Sequence, residues 1–193
     1  CGYCPQSRDS KAAIRKYPMK DDEEIFAGAE QAARSGASRY CMALSGRGPS
    51  LERTRRIADL IRRLKASYPI EFCLSAGIVD DEKAKLLAEA GLDRLNHNLN
   101  TSESHYADIC STHTFAERVA TIEAAHRSGM ETCSGLIVGM GETSADLVEV
   151  AFELRKLKVP SIPVNFLIPI DGNPIRDDGS LTPERCLRAL CLM

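Results

Sequence analysis

Gly129-Met-Glu-Thr-Cys-Ser-Gly-Leu-Ile-Val138 follows directly on Thr114 to Ser128, a stretch with helical spacing of its apolar residues, so the chain passes from helix through glycine into a strand-like run. A glycine at that point takes the left-handed conformation cheaply and turns the backbone off the helix axis. The same succession occurs twice upstream. Gly36 follows a helical pattern over Asp22 to Ser35 and precedes Ser38-Arg-Tyr-Cys-Met-Ala-Leu44, and Gly91 follows Asp80 to Ala90 and precedes Arg94-Leu-Asn-His-Asn-Leu99. Between them, Arg53 to Lys65 carries Ile57, Leu60, Ile61 and Leu64 at i, i+3, i+4 and i+7 with arginines opposite, one buried stripe and one wet face. Further helical patterns cover Ser144 to Leu157 and Thr182 onward, and Thr114 with Glu117 reads as a capping box. Adding Ile70 to Ser75 and Ile162 to Ile168 gives five strands, each followed by a helix. Strict alternation of this kind makes a parallel sheet with helices outside, either an open doubly wound sheet or a (β/α)8 barrel.

The strands favour the barrel. Cys41, Cys73, Asn98, Cys133 and Asn165 are small, polar or ligand-capable residues within otherwise apolar runs, and they recur about every 31 residues, once per βα unit. In a TIM-type (β/α)8 barrel the inward positions of successive strands converge on one axial space, so these five residues are expected to serve one enclosed site. His97 alternates with Asn98 and is expected to point the other way, as a hydrogen-bonded structural histidine.

Composition narrows the function classes. Among 193 residues, 25 Lys+Arg stand against 27 Asp+Glu, with no Trp and 5% aromatics, which gives neither a basic field nor a stacking platform for nucleic acid. Apolar stretches such as Gly135 to Met140 are far shorter than the ~20 residues a membrane span needs. Neither a nucleic-acid nor a membrane partner is expected. Eight cysteines suit a reducing cytoplasm as free thiols.

Two of them open the chain as Cys1-Gly-Tyr-Cys4. A CxxC is ambiguous among a redox pair, half of a zinc site and part of an iron–sulfur site. The long run of βα units argues against a small thioredoxin-like fold. A zinc site would want a second CxxC or a His pair downstream, and Cys186 and Cys191 look like core positions of a helix. An iron–sulfur cluster, for which soft thiolates are the expected ligands, remains.

Cys1-Gly-Tyr-Cys-Pro-Gln-Ser7 resembles the second and third cysteines of the CxxxCxxC motif of the radical S-adenosylmethionine (radical SAM) superfamily. Arg39 to Met42, Phe72 to Ser75, Asn96-His-Asn-Leu-Asn-Thr-Ser102, Cys133 to Thr143 and Pro163 to Pro174 resemble, in order, the biotin synthase family within it. The resemblance implies sulfur insertion into dethiobiotin between two unactivated carbons, with the hard chemistry carried by cofactors and none by a catalytic side chain. Cys1 and Cys4 match two of three ligands of a [4Fe–4S] cluster that binds and reductively cleaves S-adenosylmethionine. Cys41, Cys73 and Cys133 match ligands of a [2Fe–2S] cluster that donates sulfur, the phase argument having already grouped them. Tyr3 matches a position beside the adenine, Asn98 and Asn100 match ribose contacts, and Arg118 and the turn Gly139-Met-Gly141-Glu142-Thr143 match further S-adenosylmethionine contacts. Asn98 and Asn165 match dethiobiotin contacts. Some relatives carry aspartate at Asn100, so ribose contact by an amide is expected to be weaker. Cys110, Cys186 and Cys191 match no family ligand and read as buried structural thiols.

The resemblance further implies a flavodoxin or ferredoxin as electron donor, a homodimer when full length, and a partial radical SAM core over residues 1–193, roughly strands 2 to 6 with the cluster loop after strand 1. Two other readings stay open: a radical SAM enzyme of the same group acting on another small molecule, and a non-catalytic iron–sulfur carrier. Read as an internal fragment with unpaired sheet edges, the 193 residues alone are expected to aggregate or to bind cluster poorly. A monodisperse sample that melts cooperatively would contradict that.

Overall fold

The computed structural model describes residues 1–176 and 179–193. The chain divides into two compact units: Lys16–His97 with Thr121–Thr132, and Cys1–Arg15 with Asn98–Ala120 and Cys133–Met193.

The first of these units opens with α1 (Asp22–Arg34) and continues through β1 (Arg39–Ala43), α2 (Leu51–Ser67), β2 (Glu71–Ser75), α3 (Asp81–Glu89) and β3 (Arg94–Asn96). Each helix begins at a side chain that accepts a backbone N–H left over at the helix start: Asp21 from Glu24, Ser50 from Arg53 and Asp80 from Lys83. The stripe on α2 behaves as its spacing predicts. Ile57, Leu60, Ile61 and Leu64 are buried and pack with Phe72, Leu74 and Leu95 of the strands and Ala84 and Leu87 of α3. Burying each large side chain of this set contributes about 1.5–3 kcal/mol. The strands form a sheet in the order β1-β2-β3-β4, and the β1–β2 pair is parallel with Cys41 directly opposite Cys73. The glycines at 36, 91 and 129 have φ of 75°, 88° and 80°, as the helix, glycine, strand reading requires. Asp93, just after Gly91, receives the Phe72 N–H at 2.7 Å and Lys65 Nζ at 2.9 Å, tying β2 to α2.

Two expectations are corrected. The strand-like run from Glu131 to Val138 is not one strand but two, β4 (Glu131–Cys133) and β5 (Leu136–Val138), with β5 pairing in parallel with β6 (Val164–Phe166). The break falls at Ser134-Gly135, where a Cβ on Gly135 would lie 1.9 Å from the Pro163 carbonyl oxygen, and Ser134 Oγ accepts the Leu99 N–H. Glycine lets the two backbones touch there. The second correction is α4 (Glu103–Ile109), a helix with no counterpart in the sequence reading. Ser102 caps it by accepting the His105 N–H at 3.1 Å, and it is too short for its apolar residues Tyr106 and Ile109 to show a period.

The remaining helices are α5 (Phe115–Arg127), α6 (Ser144–Lys156) and α7 (Pro183–Leu192). The capping box at the start of α5 is present, with Thr114 N–H donating to Glu117 and Glu117 N–H returning to Thr114 Oγ1. Among the described residues no helix is long and apolar enough to cross a membrane.

At the start of α6, Thr143 and Asp146 form a reciprocal capping box, and Ser102 and Ser104 also donate to Asp146. The hydrogen bonds from Ser102 and Thr143 outweigh partial burial and hold the Asp146 carboxyl well below its ordinary 3.8. A depressed native pKa gives stability that is complete above the unfolded value and lost as pH falls through the native one. Asp146→Asn is therefore expected to cost about 1 kcal/mol at neutral pH, with the gap between variant and wild type closing below the unfolded carboxylate value. Denaturant melts of the iron-free protein across that range measure it.

Candidate iron–sulfur and S-adenosylmethionine site

Cys1 and Cys4 lie on one turn, closed by the Cys4 N–H on the Cys1 carbonyl at 3.3 Å. Both thiols are free and half-buried. The turn is pinned from two directions: Gly2 N–H donates to Ile109 at the end of α4, and the Gly2 carbonyl accepts from Ile175. Asn173, only 5% exposed, adds a third anchor, its amide Nδ2 donating to the Tyr3 carbonyl at 2.8 Å while Oδ1 accepts from Ser10 Oγ at 2.6 Å. Gly172 has φ 90°, and a Cβ on it would lie 2.5 Å from the Ala12 backbone nitrogen. No larger residue fits that approach. Asn173 had no role in the sequence reading; the Asp-Gly-Asn-Pro turn containing it was the available signal, pointing to a turn but not to what it braces.

Tyr3, Asn98, Asn100 and Arg118 gather around this turn. Asn100 Nδ2 donates to the Tyr3 hydroxyl at 2.7 Å, and burial, partly offset by the nearby Arg118 charge, pushes the Tyr3 phenol up to about 12. Arg118 is 8% exposed: Nε donates to the Tyr106 hydroxyl, Nη1 to the Asn98 carbonyl at 2.6 Å, and Nη2 lies 2.7 Å from His113 Nε2 and 4.0 Å from Cys1 Sγ. The Asn98 side chain accepts the Gly135 N–H at 3.1 Å, at the break between β4 and β5.

The glycine-rich turn works differently. Glu142 is buried, and its carboxylate accepts the backbone N–H groups of Gly139 and Met140 and pairs with Arg185 Nη2 at 2.9 Å. That carboxylate holds its own turn together. Gly141 lies beside His105, whose Nε2 is 3.2 Å from the Met140 carbonyl.

The strand residues divide by unit. Cys41 and Cys73 stand side by side in register, Cys41 exposed and Cys73 buried, whereas Cys133 belongs to the other unit and bridges to Ser161. Asn165 is exposed on β6 opposite Ile137, with Nδ2 reaching the Leu136 carbonyl at 3.4 Å. His97 is buried, as expected of a structural histidine. The thiols outside the family pattern are not uniformly buried: Cys191 is exposed and Cys186 half-buried, because α7 buries only Ala189. Cys110 is buried, but its Sγ lies 3.5 Å from that of Cys1. Burial raises the Cys110 thiol, yet hydrogen bonds from Thr112 and the His113 N–H bring it below its ordinary value.

Residues 1–154 match the family model described as the radical SAM superfamily. The chain belongs to the radical SAM superfamily. Membership brings a [4Fe–4S] cluster and S-adenosylmethionine, and Cys1 and Cys4 suit the cluster by donor chemistry: two soft thiols on one braced turn with a buried guanidinium alongside. Over 192 residues the chain is 58% identical to the biotin synthase of Acaryochloris marina, 52% to that of Magnetococcus marinus and 50% to that of Leptospira interrogans. Each match takes in all of this chain and 56%, 60% and 55% of the relative. The chain thus spans a little over half the length of the curated relatives it matches. Among solved structures, methylornithine synthase superposes with a TM-score of 0.85 at 20% identity, covering all of this chain and 58% of that one. The FeFe-hydrogenase maturase of Carboxydothermus hydrogenoformans gives 0.82 at 16%, covering all of this chain and 48% of that one. At such identities the likeness shows the fold, a parallel α/β barrel of the radical SAM type that is incomplete in this chain.

Asn173→Ala would leave the Tyr3 carbonyl and Ser10 without their partner, a loss of about 1–3 kcal/mol. In the iron-free protein it is expected also to speed alkylation of Cys1 and Cys4. Lost stability with unchanged thiol reactivity would assign the amide to general packing instead.

Proposed function

We propose that this chain is the radical-generating core of a biotin synthase, which inserts sulfur into dethiobiotin to make biotin. The observation that carries this reading is the in-register pair Cys41 and Cys73, in a chain 58% identical along its whole length to a curated biotin synthase. Two thiols on neighbouring parallel strands stand about 4.8 Å apart at the backbone, and together with Cys133 they are the ligands assigned to the [2Fe–2S] cluster. Cys1 and Cys4 are assigned to the [4Fe–4S] cluster. When bound, the clusters and S-adenosylmethionine supply the one-electron chemistry that opens unactivated C–H bonds.

The chain's own residues bind and orient. Tyr3 offers a half-buried ring beside the cluster turn, with its hydroxyl fixed by Asn100. Asn98 and Asn100 present amides able to donate and accept, the property needed for ribose hydroxyls and, for Asn98 with Asn165, the ureido group of dethiobiotin. Arg118 brings a fixed positive charge next to Cys1, suited to an anionic group of S-adenosylmethionine. Gly139 and Gly141 keep the turn beside the nucleoside free of side chains, and Glu142 holds that turn in shape. The reading further takes a flavodoxin or ferredoxin as electron donor, a homodimer as the full-length form and the reducing cytoplasm as the setting, where free thiols remain available to iron.

The test is anaerobic reconstitution of the full-length protein followed by Mössbauer spectroscopy and product analysis with dethiobiotin. Two cluster types and biotin are expected, and changing Cys41, Cys73 and Cys133 together to serine should remove the second cluster and the product while keeping the first. Loss of only the [4Fe–4S] signal in that triple variant would sink the assignment.

A further inference from the structure

A zinc site built on Cys1-Gly-Tyr-Cys4 wants another CxxC or a His pair along the sequence. The fold supplies something else. Cys110-Ser-Thr-His113, in the connection from α4 to α5, lies against Cys1, and the three ligand atoms all lie within 4.8 Å of one another. Cys1 Sγ is 3.5 Å from Cys110 Sγ and 3.9 Å from His113 Nε2, and Cys110 Sγ is 3.6 Å from the same nitrogen.

Those separations can be compared with the edges of a coordination tetrahedron. With Zn–S near 2.3 Å and Zn–N near 2.05 Å, the S···S edge is about 3.8 Å and the S···N edge about 3.6 Å. All three observed distances fall within about 0.3 Å of those edges. The imidazole has to turn to coordinate, because Cys110 Sγ lies 3.5 Å from Nδ1 and 3.6 Å from Nε2 and so stands in line with neither nitrogen. Nδ1 lies 2.9 Å from Thr112 Oγ1, an outer contact that suits the Nδ1–H tautomer and leaves Nε2 its lone pair. That lone pair now faces Arg118 Nη2. A metal on Nε2 displaces this hydrogen bond, and because the planar guanidinium stays held by Tyr106 and the Asn98 carbonyl, the His113 ring is the part that turns away from Arg118 toward the two sulfurs. Cys110 is not placed as a further ligand of a cubane that Cys1 holds, since thiolates on separate irons stand well beyond 3.5 Å from each other.

We propose that in the cluster-free protein Cys1, Cys110 and His113 bind one soft divalent cation of the Zn2+ class, and that this site and the iron–sulfur site exclude one another because both use Cys1. The site itself stands on the geometry alone; the exclusion rests on the reading of Cys1 as a cluster ligand. Two thiolates balance the dication, and a fourth position stays open to water, the pattern of three-ligand zinc sites. Binding releases the thiol protons and consumes no oxidant or reductant.

The test uses full-length protein, prepared anaerobically and stripped of iron, titrated with Co2+ as an optical probe. One equivalent should give a thiolate-to-cobalt charge-transfer band with tetrahedral d–d bands, and Zn2+ should abolish both. Cys110→Ser and His113→Ala should each weaken Co2+ binding at least roughly tenfold, with Cys186→Ser unchanged. In wild type, Zn2+ should shield Cys1 and Cys110 from alkylation while Cys191 stays reactive, a readout independent of how the variants fold. Zn2+ loaded first should block cluster reconstitution in wild type and not in Cys110→Ser. Co2+ spectra indifferent to both variants, or alkylation of Cys110 unaffected by Zn2+, would overturn the site. If the site holds but Zn2+ does not block reconstitution, the exclusion fails. Cluster loading by Cys1→Ser would then trace that failure to the cluster-ligand reading, not to the metal site.

Discussion

A single buried cation organises the unit that carries the cluster turn. Withdrawing a guanidinium from water costs several kcal/mol unless its donors are met, and Arg118 meets them with groups from four separate places: the Tyr106 hydroxyl of α4, the carbonyl of Asn98 after β3, His113 in the following connection and the sulfur of Cys1. Each partner is thereby held where the others are. Of the four, the Cys1 thiol is the group that a metal binds as an anion. The positive charge is thus directed at the residue expected to bind metal as a thiolate. The neighbouring phenols answer the same burial differently: Tyr3 and Tyr106 are both pushed up to about 12 and act as neutral hydrogen-bonding groups.

What the sequence disclosed follows from how far apart the interacting residues are. The helices were legible because their signals are local: an acidic or hydroxyl cap, a 3.6-residue apolar stripe and a glycine after the last turn, all within about a dozen positions. The helix α4 escaped because a short helix shows less than two periods. The break at Ser134-Gly135 escaped because its cause, the Pro163 carbonyl against Gly135, lies far along the chain. The site divides in the same way. The CxxC is local and was visible; its bracing by Asn173 spans 170 residues and the approach of Cys110 to Cys1 spans 109, so neither leaves a spacing motif. Resemblance supplied the roles of Asn98, Asn100 and Arg118, which periodicity could not.

Spacing along the chain fixes register at some strand pairs and not at others. Cys41 and Cys73, one βα unit apart, do stand opposite each other where β1 and β2 pair in parallel. The same spacing does not place Asn165 opposite Cys133: Ser161 holds that position, and Asn165 lies opposite Ile137. Cys133 and Ser161 are 28 residues apart and so are Ile137 and Asn165, so the register is the same on both sides of the break at Ser134. Equal spacing along the chain therefore translates into register only where it equals the offset at which the two strands pair.

Asn100 shows a backbone demand that a comparison of side-chain charges misses. Its φ is 75°, in the left-handed region where β-branched and bulky residues are strained and asparagine and aspartate are the tolerated non-glycine choices. Its backbone also bridges Gly135 and Ile137, accepting from one and donating to the other, so the conformation is fixed from outside the residue. Exchange between amide and carboxylate at this position leaves that conformation intact and changes only what the side chain offers. With an amide, Nδ2 donates to the Tyr3 hydroxyl and leaves Oδ1 to accept. A carboxylate could only accept, reversing the direction of the bond to Tyr3. The amide therefore gives up charge-assisted binding of hydroxyl groups, and in return it keeps a donor on the Tyr3 hydroxyl.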